Sequence, residues 1–432
     1  MRLVWAGILA IASAGTAWAQ QPAAPETPLE VTLNEAIQRA LQVQPAMVSA
    51  RGDRSSAGAS KRSAFGSYLP SLIVSASADH RNNTGVSSST GRPIPEQSYT
   101  GTLNTSLELF DGFRRLANVK SASATVDAAD AGVVNQHFQT TLQTKQLFYT
   151  AIANDALVSV ADAQVKRAQQ QLQISVEKLH AGSATRSDSL RSIVEYGNAR
   201  IALLQARASQ ATAQAELGRQ IGVDGPVRAV FDSTLPAVPD TAELRRAVLS
   251  TSPAVEQAEA QARSARAQVW SARSQYWPSL TVSYRNSRQG SSDPSFPIFS
   301  TYPETIQWSF GLSWTLFNGF TREAGNTNAS VARDLAVARA ADTRRMITAQ
   351  LTQQLAALST SSEQIGIARE NMAAATEDLR VQNERYRVGA ATILDLLTSQ
   401  AALTQAQVNV VQTQFNYLIA RAQLEATVGR TL

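Results

Sequence analysis

Stretches of strictly alternating apolar and polar residues stand out in both halves of the chain. The clearest runs from Ile306 to Leu316, where apolar side chains hold every second position and polar or small side chains lie between them. A period of two over ten or more residues predicts a β-strand with one apolar face. Soluble strands average about 5–6 residues, whereas strands that cross a bilayer need about 9–11. We therefore expect this face to contact lipid through Ile306, Trp308, Phe310, Leu312 and Trp314.

The alternating stretches predict two strand hairpins, at residues 69–110 and 278–317. The segments inside them, 80–98 and 286–304, are rich in Ser, Asn, Gly and Pro, which is typical of loops. A soluble sandwich with a buried apolar face is the alternative, but it needs a second apolar sheet that the chain does not supply. The tryptophans beyond residue 19 all lie in or beside the second hairpin, as in the aromatic girdle of a membrane barrel. They are Trp270, Trp277, Trp308 and Trp314.

A proline-free segment follows each hairpin, at residues 114–180 and 321–388. As a helix, each would span roughly 100 Å at 1.5 Å per residue. Both carry an apolar residue at every seventh position, a period that predicts left-handed supercoiling against partner helices. These positions are Val158, Val165, Leu172 and Leu179 in the first segment and Leu351, Leu358, Ile365, Met372, Leu379 and Tyr386 in the second.

Shorter helical segments flank the long ones, and two of them placed end to end match the length of one long helix. We therefore expect pairs of short helices to line each long helix along its whole length. The predicted short helices cover residues 33–66, 186–221, 241–275 and 392–428.

The two halves of the chain repeat each other at a spacing of about 207 residues. Tyr-Leu-Pro-Ser-Leu at 68–72 returns as Tyr-Trp-Pro-Ser-Leu at 276–280, and Phe-Asp-Gly-Phe at 110–113 returns as Phe-Asn-Gly-Phe at 317–320. Each half should therefore be the same structural unit. The predicted segments are a first repeat at 20–222, a linker at 223–240 and a second repeat at 241–432.

The first 19 residues have the pattern of a secretory signal peptide. Met1 and Arg2 give a positive start, residues 3–14 are apolar, and Ala-Trp-Ala at 17–19 is a small-x-small cleavage site. The apolar run is too short for a membrane-spanning helix, which needs about 20 residues. The chain has no cysteine, so neither a disulfide nor a lipid attached through an N-terminal cysteine is available.

Composition and motifs argue against nucleic-acid binding and against catalysis. A net charge of +5 spread over 432 residues is not the footprint of a nucleic-acid-binding protein. His80, His137 and His180 have no partner motif, and the chain lacks metal-ligand spacing, a phosphate-binding glycine loop and a nucleophile elbow. We expect no catalytic residue, no metal and no cofactor.

Four predicted strands cannot close a barrel, and an open sheet edge is not tolerated in lipid, so the chain must oligomerise. Residues 386–397, Tyr-Arg-Val-Gly-Ala-Ala-Thr-Ile-Leu-Asp-Leu-Leu, resemble the periplasmic tip of the TolC family of outer-membrane efflux channels. The resemblance covers essentially the whole mature chain, with both repeats in order. It implies a mixed α/β membrane protein: a homotrimer with a 12-stranded outer-membrane β-barrel, four strands per chain, continued by a 12-helix periplasmic α-barrel.

The resemblance also implies a function and partners. Such proteins are passive exit ducts of tripartite efflux pumps or type I secretion systems in Gram-negative bacteria. They dock onto an inner-membrane pump through a periplasmic adaptor, which opens the tip. The alternative is that this chain is itself a periplasmic coiled-coil adaptor or a structural envelope protein. An adaptor would need one helical hairpin flanked by soluble β domains, whereas this chain has two hairpins and long alternating strands.

The tip residues have a structural interpretation and a functional one. Asp188 and Asp395 each follow a threonine by three residues, a spacing that predicts helix capping. The resemblance adds that Asp395 would form a ring of three carboxylates at the constriction and that Tyr386 would link to Asp188. It also assigns adaptor docking to the turns around Gly182 and around Val388, Gly389 and Ala390. An arginine that closes the tip in the family is replaced by Ala391, and a second acidic ring by Thr398.

Overall fold

The computed structural model describes most of the chain beyond its first 27 residues. The predicted signal peptide, residues 1–19, lies outside the described residues, as do parts of the predicted linker at 223–240 and of both hairpin loops. The described residues are 28–82, 85–86, 91, 95–230, 236, 239, 241–291 and 302–432.

Both halves contain the same succession of elements: two short helices, a strand hairpin, a long helix and a further helix. The first half comprises β1 (Leu29–Val31), α1 (Leu33–Val43), α2 (Pro45–Gly66), β2 (Ser71–His80), β3 (Gln97–Phe110), α3 (Arg114–His180) and α4 (Arg186–Ile221). The second half comprises β4 (Val227–Ala229), α5 (Thr241–Thr251), α6 (Pro253–Arg273), a 3-10 turn (Ser274–Tyr276), β5 (Ser279–Gly290), β6 (Glu304–Ser313), α7 (Thr321–Arg387) and α8 (Ile393–Val428).

Prolines split two segments that the sequence predicted as single helices. The predicted helix 33–66 is interrupted at Gln44 and the predicted helix 241–275 at Ser252, where ψ is 127° and 117° respectively. Each of these residues precedes a proline, whose ring disfavours the helical conformation of the residue before it. The prolines then occupy the first turn of α2 and α6, where a missing N–H costs nothing.

The hairpins form one antiparallel sheet in the order β2-β3-β5-β6. The register places apolar residues opposite each other on one face, as in the pairs Val282–Phe310 and Leu280–Leu312. The other face carries hydroxyl ladders. Its hydrogen-bonded pairs are Ser71–Ser106 at 2.7 Å, Ser75–Thr102 at 2.5 Å and Ser283–Ser309 at 2.7 Å. The sheet therefore has one apolar and one polar surface.

Strands β2 and β6 are the open edges of this sheet, and every residue of both is exposed. Unpaired N–H and C=O groups along such an edge are available to a further strand. The side chains of β6 that were predicted to face lipid are highly exposed: Phe310 is 74% and Leu312 is 73% exposed. The strand ends at Ser313, so Trp314, which was predicted to be part of it, lies just beyond its end. The indole N–H of Trp314 donates to the Tyr276 carbonyl at 3.2 Å.

The two 67-residue helices α3 and α7 are lined by pairs of shorter helices, as the lengths predicted. Helices α2 and α4 pack along α3, while α6 and α8 pack along α7. The seven-residue apolar row of α7 is largely buried. The corresponding row of α3 is only half-buried, and the buried residues of this helix lie three positions further on and are small: Ala161, Ala168 and Ser175.

The main core lies where α3, α4, α7 and α8 meet midway along the helices. Phe148, Leu217 and Leu424 are fully buried there. A small parallel sheet of β1 and β4, which the sequence analysis missed, covers one side. Lys145 of α3 forms a largely buried ion pair with Glu425 of α8, and burial and the nearby Glu425 charge raise the pKa of Tyr149 to about 12.

An arginine ties each hairpin to the long helix that follows it. In the first half, Arg115 donates to the Leu109 carbonyl at 3.1 Å and lies over the Tyr68 ring at 4.8 Å. Its own backbone N–H donates to the Asp111 carboxylate at 2.8 Å. These contacts fix the end of β3, the start of α3 and the residues before β2 in one cluster.

The second half repeats this junction with matching residues. Arg322 donates to the Leu316 carbonyl at 3.4 Å and lies over the Tyr276 ring at 4.2 Å, while its N–H donates to Asn318 at 3.3 Å. The tyrosine and the Asp-Gly or Asn-Gly pair are the repeated motifs of the sequence. Their recurrence therefore has a structural cause: they hold an arginine that joins strand to helix.

Candidate functional site

The candidate site is the end of the long helices furthest from the sheet, where two turns reverse the chain. Gly182 and Gly389 adopt φ of 70° and 81°, which other residues reach at a cost. The Ser183 N–H donates to the Lys178 carbonyl at 2.9 Å, and the Ala390 N–H donates to the Arg385 carbonyl at 2.7 Å. Both hydrogen bonds satisfy carbonyls that the ending helix leaves free.

The predicted docking residues of the second turn are open to solvent. Val388 is 74% exposed, and Gly389 and Ala390 are exposed beside it. Arg385 stiffens this turn by donating to the Ala390 carbonyl at 3.3 Å. Gly182 is exposed in the first turn as well. The second turn therefore presents an apolar side chain to solvent.

Asp188 and Asp395 cap α4 and α8, as their spacing predicted. Asp188 accepts hydrogen bonds from the Thr185 N–H at 2.9 Å and hydroxyl at 2.8 Å, while its own N–H donates to that hydroxyl at 3.2 Å. Asp395 makes the same contacts with Thr392, at 2.9, 2.7 and 3.3 Å. These reciprocal bonds form a capping box at the start of each returning helix.

The caps keep both carboxylates charged. Hydrogen bonds from the Thr185 backbone and side chain lower the pKa of Asp188, and those from Thr392 lower the pKa of Asp395. A depressed carboxyl pKa contributes stability that is present above the ordinary carboxyl range and is lost as pH falls through the folded pKa. Asp188 and Asp395 are therefore both ionised at neutral pH.

Thr392→Ala should loosen the first turn of α8, because loss of an N-cap side chain costs about 1 kcal/mol. We expect faster hydrogen exchange at the amides of residues 393–396, measured by mass spectrometry, with the core of the protein unchanged. Thr392→Ser keeps the hydroxyl and should exchange as the wild type does. Equal exchange in all three proteins would show that the cap adds no local stability.

Tyr386 is buried at the end of α7 rather than exposed at the tip surface. It packs in a small apolar cluster with Leu379, Ile393, Leu396 and Leu403. Its hydroxyl is buried beside the Gln171 side chain, but it makes no hydrogen bond of ordinary geometry with the residues that the structure describes. The cluster joins α7 to α8 just behind the second turn, so Tyr386 helps to hold that helical hairpin together.

The electrostatic surroundings of Tyr386 include Asp188. Burial, and then the negative charge of Asp188, raise the pKa of Tyr386, while the side chain of Gln171 partly offsets them. The structure thus brings Tyr386 and Asp188 near each other, but it forms no hydrogen bond between them: the Asp188 carboxylate bonds to Thr185 instead. A direct Tyr386–Asp188 link stays a prediction for the oligomer.

Lys178 makes a contact at the tip that the sequence analysis missed. From the last turn of α3, its ammonium donates to the Tyr386 main-chain carbonyl at 2.5 Å and lies 4.1 Å from the centre of the Tyr386 ring. The contact combines a charged hydrogen bond with a cation–π interaction. It connects the ends of the two long helices. A lysine in the last turn of a helix was visible in the sequence, but that signal indicates only a favourable charge near free carbonyls.

The position that holds an arginine in the resembling family has a packing role here. Ala391 is half-buried and packs against the Tyr386 cluster. Thr398, where a second acidic ring was considered, donates its hydroxyl to the Leu394 carbonyl at 2.9 Å. Among the described residues, Lys178 brings a cation from α3 to the end of α7.

The described residues contain no group of three or more His, Cys, Asp or Glu side chains placed to hold a metal ion. Nor do they include a helix with enough consecutive apolar residues to cross a membrane.

Comparison with known families gives a match over both halves of the chain. The family model described as outer membrane efflux protein matches residues 36–223 and again residues 244–430. The two matches coincide with the two copies of the structural unit, separated by the segment that contains β4.

Individual relatives are distant in sequence. Protein CyaE of Bordetella pertussis is 27% identical over 307 residues, which cover 68% of this chain and 62% of that protein. The probable efflux pump outer membrane protein TtgC of Pseudomonas putida is 23% identical over 375 residues, or 84% of this chain and 75% of that protein. The match to CyaE therefore spans less than two thirds of the length of that relative.

Solved structures share the fold. The outer membrane protein VceC of Vibrio cholerae superposes with a TM-score of 0.80 at 20% sequence identity, and the match covers 92% of this chain and 96% of VceC. At this identity the likeness shows a common fold, with its sheet and long helices in the same arrangement.

Proposed function

Because this chain belongs to the outer membrane efflux protein family, we propose that it is the outer-membrane exit duct of a tripartite efflux pump or type I secretion system. One observation carries the proposal: a four-stranded sheet with an exposed apolar face continues into two helices of 67 residues each. The sheet suits a bilayer, and the helices are about 100 Å long, enough to extend far from it.

The open edges of the sheet support a homo-oligomer, and three copies are proposed. Lipid offers no hydrogen bonds to an unpaired strand edge, so β6 of one copy must pair with β2 of the next. Two copies would give eight strands and a barrel filled by side chains, whereas three give twelve strands and room for a channel. In such a barrel the hydroxyl ladders face the lumen, and Ile306, Trp308, Phe310, Leu312 and Trp314 face lipid or its boundary.

The tip is proposed as the docking surface and the gate. The exposed turns at Gly182 and at Val388–Ala390 would contact a periplasmic adaptor, which couples the duct to an inner-membrane pump. In a trimer, Asp395 contributes three carboxylates near the axis, and Asp188 adds three more. Tyr386 and Lys178 hold the ends of α3 and α7 together within each copy. The duct itself has no catalytic role in this proposal: its partners supply the energy.

Cysteine labelling on intact cells tests the proposed topology. Ser291 lies just beyond β5, at the hairpin loop that should face outside the cell. An impermeant thiol reagent should label Ser291→Cys without lysis. Ser209→Cys lies exposed on α4, which should be in the periplasm, and should react only after the outer membrane is permeabilised. The chain has no other cysteine, so the signal is unambiguous. Labelling of both only after lysis would refute the topology.

A further inference from the structure

A groove of about 390 Å³ lies between the first turns of α3 and the last turns of α6. Large apolar side chains form its walls, and the small side chains of Ala117 and Ala267 form its floor. Two cationic side chains stand at its rim. The large apolar and charged residues that line the groove are Phe113, Leu116, Lys120, Trp270, Arg273 and Trp277.

The groove lies on the same side of the protein as the apolar face of the sheet. Phe110 pairs with Leu280, which belongs to that apolar face. The ring of Phe113, which lines the groove, meets the Phe110 ring edge-on at 5.4 Å between centroids. The groove therefore begins where the apolar strand surface ends, at the boundary between sheet and helices.

The large apolar side chains of the groove are unusually exposed. Trp270 is 68%, Phe113 60% and Trp277 58% accessible to solvent. Tryptophans at such a boundary are typical of the headgroup level of a bilayer, because the ring is apolar and its N–H is polar. At that level the acyl chains of the bilayer would cover these rings, so no partner protein is needed to bury them.

The rim charges are free to bind an anion. Among the ion pairs of the described residues, none involves Lys120 or Arg273, and both side chains are exposed. The Arg273 guanidinium lies 5.9 Å from the centre of the Trp270 ring. An aromatic face can hold such a cation in place while its N–H groups remain available to phosphate.

Oligomer closure leaves the groove accessible. Helix α3 packs between α2 and α6, and α6 packs between α3 and α7. The groove is thus formed by the two central helices of one copy, while contacts between copies in the proposed oligomer would involve the outer edges. The corresponding positions of the other repeat carry Thr327 and Phe65 in place of the two cations. Each chain therefore has a single site of this kind.

We propose that this groove binds an acidic glycerophospholipid from the inner leaflet of the outer membrane. Its phosphate would lie between Lys120 and Arg273, and its acyl chains would cover Leu116, Trp270 and Trp277. This inference rests on the proposed function, since it requires the sheet to lie in the membrane. It adds a specific lipid partner that would fix the depth of the duct at the junction between barrel and helices.

Native mass spectrometry of the full-length oligomer tests the inference. The protein is purified in detergent, delipidated and titrated with phosphatidylglycerol or with phosphatidylethanolamine that carries the same acyl chains. We expect one phosphatidylglycerol per chain, with at least about a tenfold preference over the zwitterionic lipid, given two cations near the phosphate. A large excess of inorganic phosphate should not displace it, because the acyl chains supply part of the affinity.

Charge variants at the groove and away from it complete the test. Lys120→Gln with Arg273→Gln should abolish the preference while the oligomer persists on native gels. Arg200→Gln with Arg207→Gln removes two exposed charges from α4, far from the sheet, and should keep it. Lys120→Arg should keep it as well. Retention of the preference in the groove variant, or no preference in the wild type, overturns the inference. If the wild-type protein did not reach the outer membrane, that result would instead refute the proposed function.

Discussion

Phe310→Arg is expected to prevent assembly of the protein in the outer membrane. Phe310 is the most exposed of the large apolar side chains of β6 and faces away from the hydroxyl ladders. In the proposed barrel it lies against lipid, where an arginine near the midplane costs about 2–4 kcal/mol per chain. A trimer repeats that cost three times. Heat-modifiable oligomers in membrane fractions, measured on gels, should therefore fall to a small fraction of the wild-type level.

Ser309→Arg is the matched control, one residue away on the same strand. Its side chain lies on the polar face, where the Ser309 hydroxyl bonds to Ser283 at 2.7 Å. An arginine there loses that hydrogen bond but enters a water-filled lumen, so oligomer yield should stay close to that of the wild type. Equal damage from both substitutions would contradict the assignment of the two faces. Damage from Ser309→Arg alone would reverse it.

The parts of the fold set by regular periodicity could be predicted from the sequence. The period of two located the strands, and the absence of proline located α3 and α7 almost to the residue. The internal repeat then required a second copy of each element. The fold and the membership of an efflux family, expected from residues 386–397, are confirmed by the family match and by the structural likeness to VceC.

Other features depend on contacts between distant parts of the chain, which a pattern along the sequence does not contain. The strand β4 pairs with β1 almost two hundred residues earlier, and three residues are too few to show a period. The break at Gln44 was missed because the helical pattern continues across it, although Pro45 marks its position in the sequence. At the tip, the Lys178–Tyr386 contact joins residues from opposite halves, and only their packing reveals it.

Lys178 changes the expectation for the gate. The sequence resemblance placed the closing contact on the Tyr386 hydroxyl, with Asp188 as its partner. In the structure that hydroxyl makes no hydrogen bond of ordinary geometry with the described residues, whereas the Tyr386 carbonyl and ring both contact Lys178. The groups that connect α3 to α7 are therefore the ammonium, the ring and a backbone oxygen. A variant that removes only the hydroxyl leaves all three in place.

Lys178→Met is accordingly expected to raise the single-channel conductance of the purified protein in planar bilayers. Methionine keeps an unbranched chain of similar length for packing but loses the charge, the hydrogen bond and the cation–π interaction. A charged hydrogen bond contributes about 1.5–3 kcal/mol and an exposed cation–π contact about 0.5–1 kcal/mol, and the proposed trimer would lose each three times. The closed arrangement of the helix ends should therefore lose several kcal/mol relative to an open one.

Two controls separate this contact from a general loss of charge and from the hydroxyl. Lys166→Met removes a cation from the same helix, where Lys166 pairs with Asp162 at 2.8 Å, and should leave conductance unchanged. Tyr386→Phe keeps the ring and the carbonyl, so it should also conduct like the wild type. An increase in conductance in Tyr386→Phe, together with wild-type conductance in Lys178→Met, would contradict this account. The closing contact would then be the Tyr386 hydroxyl, bonded to Asp188 within the assembled trimer.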